Sequence, residues 1–390
     1  MKYDFSQIIP RENTSCYKYD LRGKIFGRND VIPMWVADMD IAVPDFVMDR
    51  LAQRLKHPIF GYTFRDAEYL QSIAQWCQMR YGWNVSTEWL SYCPGVVSGI
   101  INAIQAFTKP REKVLIQPPV YHPFFHCVEG NGRELITNPL VESGGGYTMD
   151  FDLLEQQLAE GVKMAILCSP HNPVGRVWTK EELTQFAQLC LKHGVLMVSD
   201  EIHADLVFSP HKHTPLATLS EGIANSTITF GSASKTFNLA GLACAHAIIS
   251  NRNLKRRYDN QVQRNGADQG NPLSYEAVKA AYSQNGQVWL DELLAYLWGT
   301  VSLVNTHLSE SQSPIKLVRP EGTYLLWFDF RATGIEHKEV TTMIIKQAGL
   351  GFNAGDMFGP QGKGFHRMNI ACPRETVVEA LGRLNEVFGV

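Results

Sequence analysis

The chain has 390 residues, of which 45% are hydrophobic and 19% charged. It is too apolar and too weakly charged for a disordered chain, and long enough for about two to four domains. Lys and Arg number 36 against 39 Asp and Glu, a net charge of −3, so no basic excess exists to neutralise a nucleic-acid backbone.

The opening Met1-Lys2-Tyr3-Asp4-Phe5-Ser6 lacks the apolar core of a signal peptide. No apolar run approaches the roughly 18–20 residues that span a membrane. Asn-x-Ser/Thr sequons at Asn13, Asn84 and Asn225 are therefore expected to be chance matches. The cysteines are scattered, with no C-x-x-C pair, and read as free thiols of a cytoplasmic protein without a disulfide frame or metal site.

A strand-then-helix rhythm follows. Cys93-Pro94-Gly95-Val96-Val97 opens a helical run. Lys113–Gln117 is a short apolar run stopped by Pro118-Pro119. Ser143-Gly144-Gly145-Gly146 reads as a turn between elements. Met164–Cys168 is a second run, stopped by Ser169-Pro170, Val195–Ser199 is a third and Thr227–Phe230 a fourth. Short apolar runs bounded by breakers suit parallel strands buried on both faces. Between the second and third, Thr179 and Glu182 form a capping box and Gly194 ends the helix after His193. The alternation predicts an α/β fold with an open, mostly parallel sheet. Beyond it the sequence predicts a helical stretch from about Pro272 to Ser309, a strand over Gly322–Phe330, and helices over Lys338–Ala348 and Glu375–Phe388. These form a second, smaller α+β unit.

Open α/β sheets bind ligands beyond the carboxyl ends of their strands. Tyr121 follows the first run, Asn172 the second, Asp200 and His203 the third, and Ser232, Ser234 and Lys235 the fourth. Taken singly, Asn172-Pro173 reads as a turn, Asp200 as a helix cap, Tyr121 as packing and Lys235 as a surface charge. Pyridoxal 5′-phosphate needs all four at once. It needs the Lys235 amine for a Schiff base and the Asp200 carboxylate facing its pyridine nitrogen. It gains from an Asn172 donor to its ring oxygen and a Tyr121 ring stacked on the pyridine. Its phosphate suits the hydroxyls of Ser232 and Ser234 and the helix-opening amides at Gly95, Val96 and Val97. His203 would support the cofactor oxygen or Asp200, or simply pack.

The motifs Gly61-Tyr62-Thr63, Ser169-Pro170-His171-Asn172-Pro173, Asp200-Glu201-Ile202-His203, Ser232–Asn238 and Arg367-Met368-Asn369 resemble those of fold-type I pyridoxal-phosphate enzymes of the aminotransferase class I/II superfamily. The resemblance implies a large domain at 46–284 and a small domain made of 1–45 with 285–390. It also implies a homodimer in which Tyr62 reaches the neighbouring subunit's phosphate, and an Arg367 fork on the α-carboxylate of an amino-acid substrate. Two departures narrow the class. Gly241-Leu242-Ala243 lacks the usual phosphate-gripping arginine, and Met34-Trp35-Val36-Ala37-Asp38-Met39-Asp40 replaces the usual opening loop. With Glu321–Trp327 and Gly364–Arg367, these resemble the MalY/PatB type of cystathionine β-lyase, or cysteine-S-conjugate β-lyase. There the amide at Ala37 would face the substrate carboxylate, and Lys235, Asp200 and Tyr121 would serve catalysis. The implied reaction is α,β-elimination to a thiol, pyruvate and ammonia. An aminotransferase shares every step up to the carbanion and is the first rival; a regulatory protein that keeps the cofactor fold is the second.

Overall fold

The computed structural model describes residues 2–389. Helix α1 (Ala67–Tyr81) is N-capped by Asp66, whose side chain accepts from Tyr69 N. Strand β1 (Leu90–Cys93) leads into helix α2 (Val96–Phe107). Then come β2 (Lys113–Ile116), β3 (Glu134–Thr137) and β4 (Val162–Cys168). Helix α3 (Lys180–Lys192) carries the Thr179–Glu182 capping box and stops before Gly194, whose φ of +65° closes the turn. Strands β5 (Leu196–Asp200), β6 (Thr227–Gly231) and β7 (Ala245–Ile248) complete the large sheet.

The sheet runs in the order β1-β7-β6-β5-β4-β2-β3. All neighbours pair in parallel except β7, which is antiparallel to β1 and β6. Val114, Ile116, Met164, Ile166, Val198 and Ile228 are each at most 1% exposed. Burying such a side chain contributes about 1.5–3 kcal/mol, which is why unbroken apolar runs, and not alternating ones, settle here. Because β7 enters where its neighbours leave, the residues preceding it share an edge with the carboxyl ends of the other strands.

The stretch from Pro272 is two helices, α4 (Pro272–Ala281) and α5 (Gln284–Glu310). Ser283 breaks it by accepting from Gly286 N, and a Cβ on Gly286 would sit 1.8 Å from the Ala281 carbonyl oxygen. A four-stranded sheet follows, β8 (Lys316–Val318), β9 (Leu325–Asp329), β10 (Asn353–Ala354) and β11 (Phe365–Asn369), in the order β8-β9-β11-β10. Helices His337–Lys346 and Arg374–Phe388 flank it in sequence. The strand expected from Gly322 begins only at Leu325. The N–H groups of Glu321 and Gly322 instead donate to the Gly175 carbonyl, and that of Thr323 to Leu206. Ile32–Pro33 pairs in parallel with Leu350–Gly351, so the N-terminal segment packs beside the second sheet. Ser143–Gly146 turns a small hairpin, as the sequence predicts. Among the described residues no helix is long and apolar enough to cross a membrane, and every cysteine is free.

Candidate active site

The strand-end residues converge on one cavity, partly open to solvent. Ala37, Gly95, Val96, Val97, Tyr121, Asn172, Asp200, His203, Ser232, Ser234 and Lys235 all line it. Tyr62 does not. It is 97% exposed, in a segment without regular structure, so within one chain it cannot meet the phosphate end.

Lys235 sits on a single helical turn, Ala233–Thr236. Its Nζ donates to the Ala37 carbonyl at 2.6 Å, and Tyr324 donates its hydroxyl to the same oxygen at 3.2 Å. The opening loop thus presents its carbonyl at Ala37, where the sequence reading invoked the amide. Burial lowers the Lys235 pKa to about 8, with Asp38 and Asp200 pulling the other way. Asp200 ends β5 and accepts from Ile202 N at 3.1 Å; burial pushes its carboxyl up to about 7. A cationic ring nitrogen beside it would reverse that shift, because an opposite charge at short range favours the carboxylate.

His203 lies in a turn, not the helical turn the spacing suggested, because the Glu201 and His203 carbonyls accept only from Ala204 and Leu206. Burial pushes it down to about 3, so it is neutral, and its Nδ1 is buried without a partner. Burial raises the Tyr121 phenol to about 12, so it stays protonated.

Arg367, on β11, reaches across from the second sheet. Its Nη1 donates to Asn172 Oδ1 at 2.9 Å, and its Nη2 to Trp35 O and Asn353 Oδ1, each at 2.7 Å. Its Nε is buried without a partner. Asn369, two residues on, donates to the Val36 and Asp38 carbonyls, each at 2.6 Å. The far side of the same loop is held by Asn238, which donates to the Met39 and Ile41 carbonyls. Arg11 and Lys18 pair with Asp38 and Asp40. Arg11 is therefore engaged by carboxylates, although it borders the wider cleft that leads outward from Lys235.

At the other end, α2 starts at Gly95 with no side-chain cap, so its first amides face the cavity unsatisfied. A Cβ at Gly95 would meet no atom within 4 Å, which leaves a cradle for an anion. Ala243 stands where the family arginine was expected, in a left-handed turn at φ +50°. The Ser232 hydroxyl is not free to donate to a phosphate as the sequence reading required. It donates to Cys244 O at 2.7 Å and accepts from Ser234 N at 3.0 Å, acting as a cap. An amine, a buried carboxylate facing it across the cavity, an orphaned histidine nitrogen and an uncapped helix start together fit pyridoxal 5′-phosphate. Sequence reasoning missed Asn353, which carries no motif, and the roles of Trp35, Tyr324, Asn238 and Asn369, which lie in recognised motifs but had been given no contact.

An open α/β sheet with its ligand cavity at the strand ends, closed over by a second sheet, is the architecture of the pyridoxal-phosphate transferases. The chain belongs to the aminotransferase class I and II family, whose sequence profile matches residues 29–384. It is 42% identical to cystathionine beta-lyase PatB of Bacillus subtilis over 98% of both chains. Its identity to Protein MalY of Escherichia coli is 32% over the whole of both. Among solved structures, cystalysin from Treponema denticola, which contains a pyridoxal 5′-phosphate cofactor, superposes with a TM-score of 0.96 at 36% identity, covering 100% of this chain and 99% of that one.

Proposed function

We propose that this chain is a pyridoxal-phosphate-dependent carbon–sulfur β-lyase acting on cystathionine or other S-substituted cysteines. The observation that carries the reading is the convergence of Lys235, Asp200 and Asn172 on one cavity, with Arg367 hydrogen-bonded to Asn172 behind it, in a chain 42% identical to a cystathionine β-lyase along nearly its full length. When bound, the cofactor supplies an electron sink for the carbanion formed at the substrate α-carbon.

The chain's own residues do the rest. Arg367 and Asn172 hold the α-carboxylate and so fix which α-bond faces the lysine. The Lys235 Nζ takes the α-proton, a role that burial favours by disfavouring its charged form. The Ala37 carbonyl accepts from that amine and orients it. When the cofactor is bound, Asp200 would keep its ring nitrogen protonated, Tyr121 would cover its ring, and Gly95, Val96, Val97 and Ser234 would cradle its phosphate. His203 packs neutral against the carboxylate side. Once the α-proton has left, the β-carbon–sulfur bond breaks with its electron pair going to sulfur, the thiolate takes up a proton to leave as the thiol, and water converts the remaining three-carbon fragment to pyruvate and ammonia.

Two further parts of the reading concern assembly. The apolar exposure of Ile59, Phe60, Tyr62 and Phe64 supports a homodimer in which Tyr62 crosses to the other subunit's phosphate and stands in for the absent arginine. The division into a large domain, 46–284, and a small one, 1–45 with 285–390, agrees with two separate sheets and with a site between them. Free thiols throughout suit a cytoplasmic setting.

The family also contains transaminases; aspartate aminotransferase of Pyrococcus abyssi is 24% identical. One assay separates the readings. Purified protein is supplied with the cofactor and cystathionine, with and without an added 2-oxo acid. The lyase reading expects catalytic pyruvate without the acceptor. A strict requirement for acceptor, with a new amino acid formed, overturns it.

A further inference from the structure

A buried carboxylate that this chemistry does not use lies behind the cavity. Asp205 is 4% exposed, in the turns that follow β5, five residues beyond Asp200. Its oxygens accept from Trp76 Nε1 at 3.1 Å, from the Tyr81 hydroxyl at 2.5 Å and from Thr236 Oγ1 at 2.8 Å. Arg80 Nε stands 3.7 Å away. Burial, with the Asp205 charge added, holds the Tyr81 phenol well above its ordinary range, so it keeps the proton it donates.

A buried charge is costly unless its lone pairs are met, and a fully met network rigidifies what it joins. Here it joins three segments. Trp76, Arg80 and Tyr81 belong to α1. Asp205 continues from Asp200. Thr236 is the residue after Lys235. The other end of the Lys235 turn is tied by Ser232 to the Cys244 carbonyl. The turn is therefore clamped at both ends, and one clamp leads back to Asp200.

We propose that Asp205 is a positioning residue: through Thr236 it fixes the turn bearing Lys235 against the turn following Asp200, so that amine and carboxylate keep one separation across the cavity. The inference rests on the reading that these two groups hold the cofactor. Placement errors near 1 Å cost about 10²-fold in rate, so a bond that sets this separation acts on turnover more than on substrate affinity.

The test compares cofactor-loaded wild type, Thr236→Val, Thr236→Ser and Asp205→Asn. Readouts are kcat and KM for cystathionine, the pH midpoint of the cofactor's visible band, and the melting temperature. Thr236→Val is expected to lower kcat about tenfold or more with KM within about twofold, and to move the band midpoint by about half a pH unit or more. Thr236→Ser restores both. Asp205→Asn, where it folds, shares the Thr236→Val shifts; where it does not, the two Thr236 variants decide. Wild-type turnover and midpoint in Thr236→Val, slower turnover with an unmoved midpoint, or no rescue by Thr236→Ser each overturn the inference. A wild type that never develops the band overturns the reading of Lys235 and this inference with it; a normal wild-type band with an unaltered Thr236→Val overturns the inference alone.

Discussion

Arg367 and Asn172 meet across the gap between the two sheets, Nη1 to Oδ1 at 2.9 Å, with both side chains buried. Neither sheet alone makes this contact. Asn172 follows β4 of the large sheet, Arg367 lies on β11 of the small one, and the guanidinium Nε stays buried without a partner. Burial lowers the Arg367 pKa to about 10, which still leaves it charged near pH 7.

Replacing Arg367 by Lys keeps the charge and removes the planar fork. The expected result is a loss of about 10–10²-fold in kcat/KM for an S-substituted cysteine, the scale of about 1.5–3 kcal/mol for a charged hydrogen-bonding pair. Steady-state kinetics check it. Unchanged kcat/KM removes Arg367 from the substrate site.

The amine of Lys235 should titrate early. In cofactor-free protein its reactivity toward an acylating reagent, mapped by peptide mass spectrometry against pH, is expected to rise through a midpoint near 8 as the proton leaves. The sign follows from burial: losing water penalises the charged ammonium, so deprotonation comes at lower pH than the usual 10.5. A midpoint at that ordinary value would mean the side chain is solvated.

Asp200→Asn removes the carboxylate while keeping its size. Turnover is expected to fall by about 10²–10⁴-fold, the range for a key acid–base or electrostatic group. Cofactor content, measured by absorbance, should fall less than turnover. Near-normal turnover would count against the assigned role.

Tyr62 carries the assembly prediction. Sedimentation should give twice the chain mass, and Tyr62→Ala should lose cofactor faster on dialysis than wild type, since no arginine at position 243 backs it up. A monomer that retains the cofactor as wild type does contradicts it.

The convergence of four strand-end residues on one cavity was legible because of where they fall. Tyr121, Asn172, Asp200 and Lys235 each stand just past a short apolar strand, and in a parallel sheet all such positions share one edge. Arg367 was legible only through its family motif, since its place on β11 follows no strand-end rule. The contacts of Tyr324, Trp35, Asn353 and Asp205 were not legible, because their partners lie far along the chain: Tyr324 meets Ala37 across 287 residues and Trp76 meets Asp205 across 129. The Ser232 hydroxyl, expected at the phosphate, instead donates to the Cys244 carbonyl twelve residues on, a pairing the local pattern does not reveal. The strand at Gly322 was overextended because local pattern does not reveal that Gly175 and Leu206 take its backbone donors.

The central claim is that the cofactor is held covalently by Lys235. The most direct measurement is borohydride reduction of the loaded protein, followed by proteolysis and mass mapping of the modified peptide. One pyridoxyl-modified site is expected, at Lys235, and it is lost in Lys235→Ala. A stable adduct on any other lysine, or protein that stays colourless and unmodified with the vitamer in excess, contradicts it.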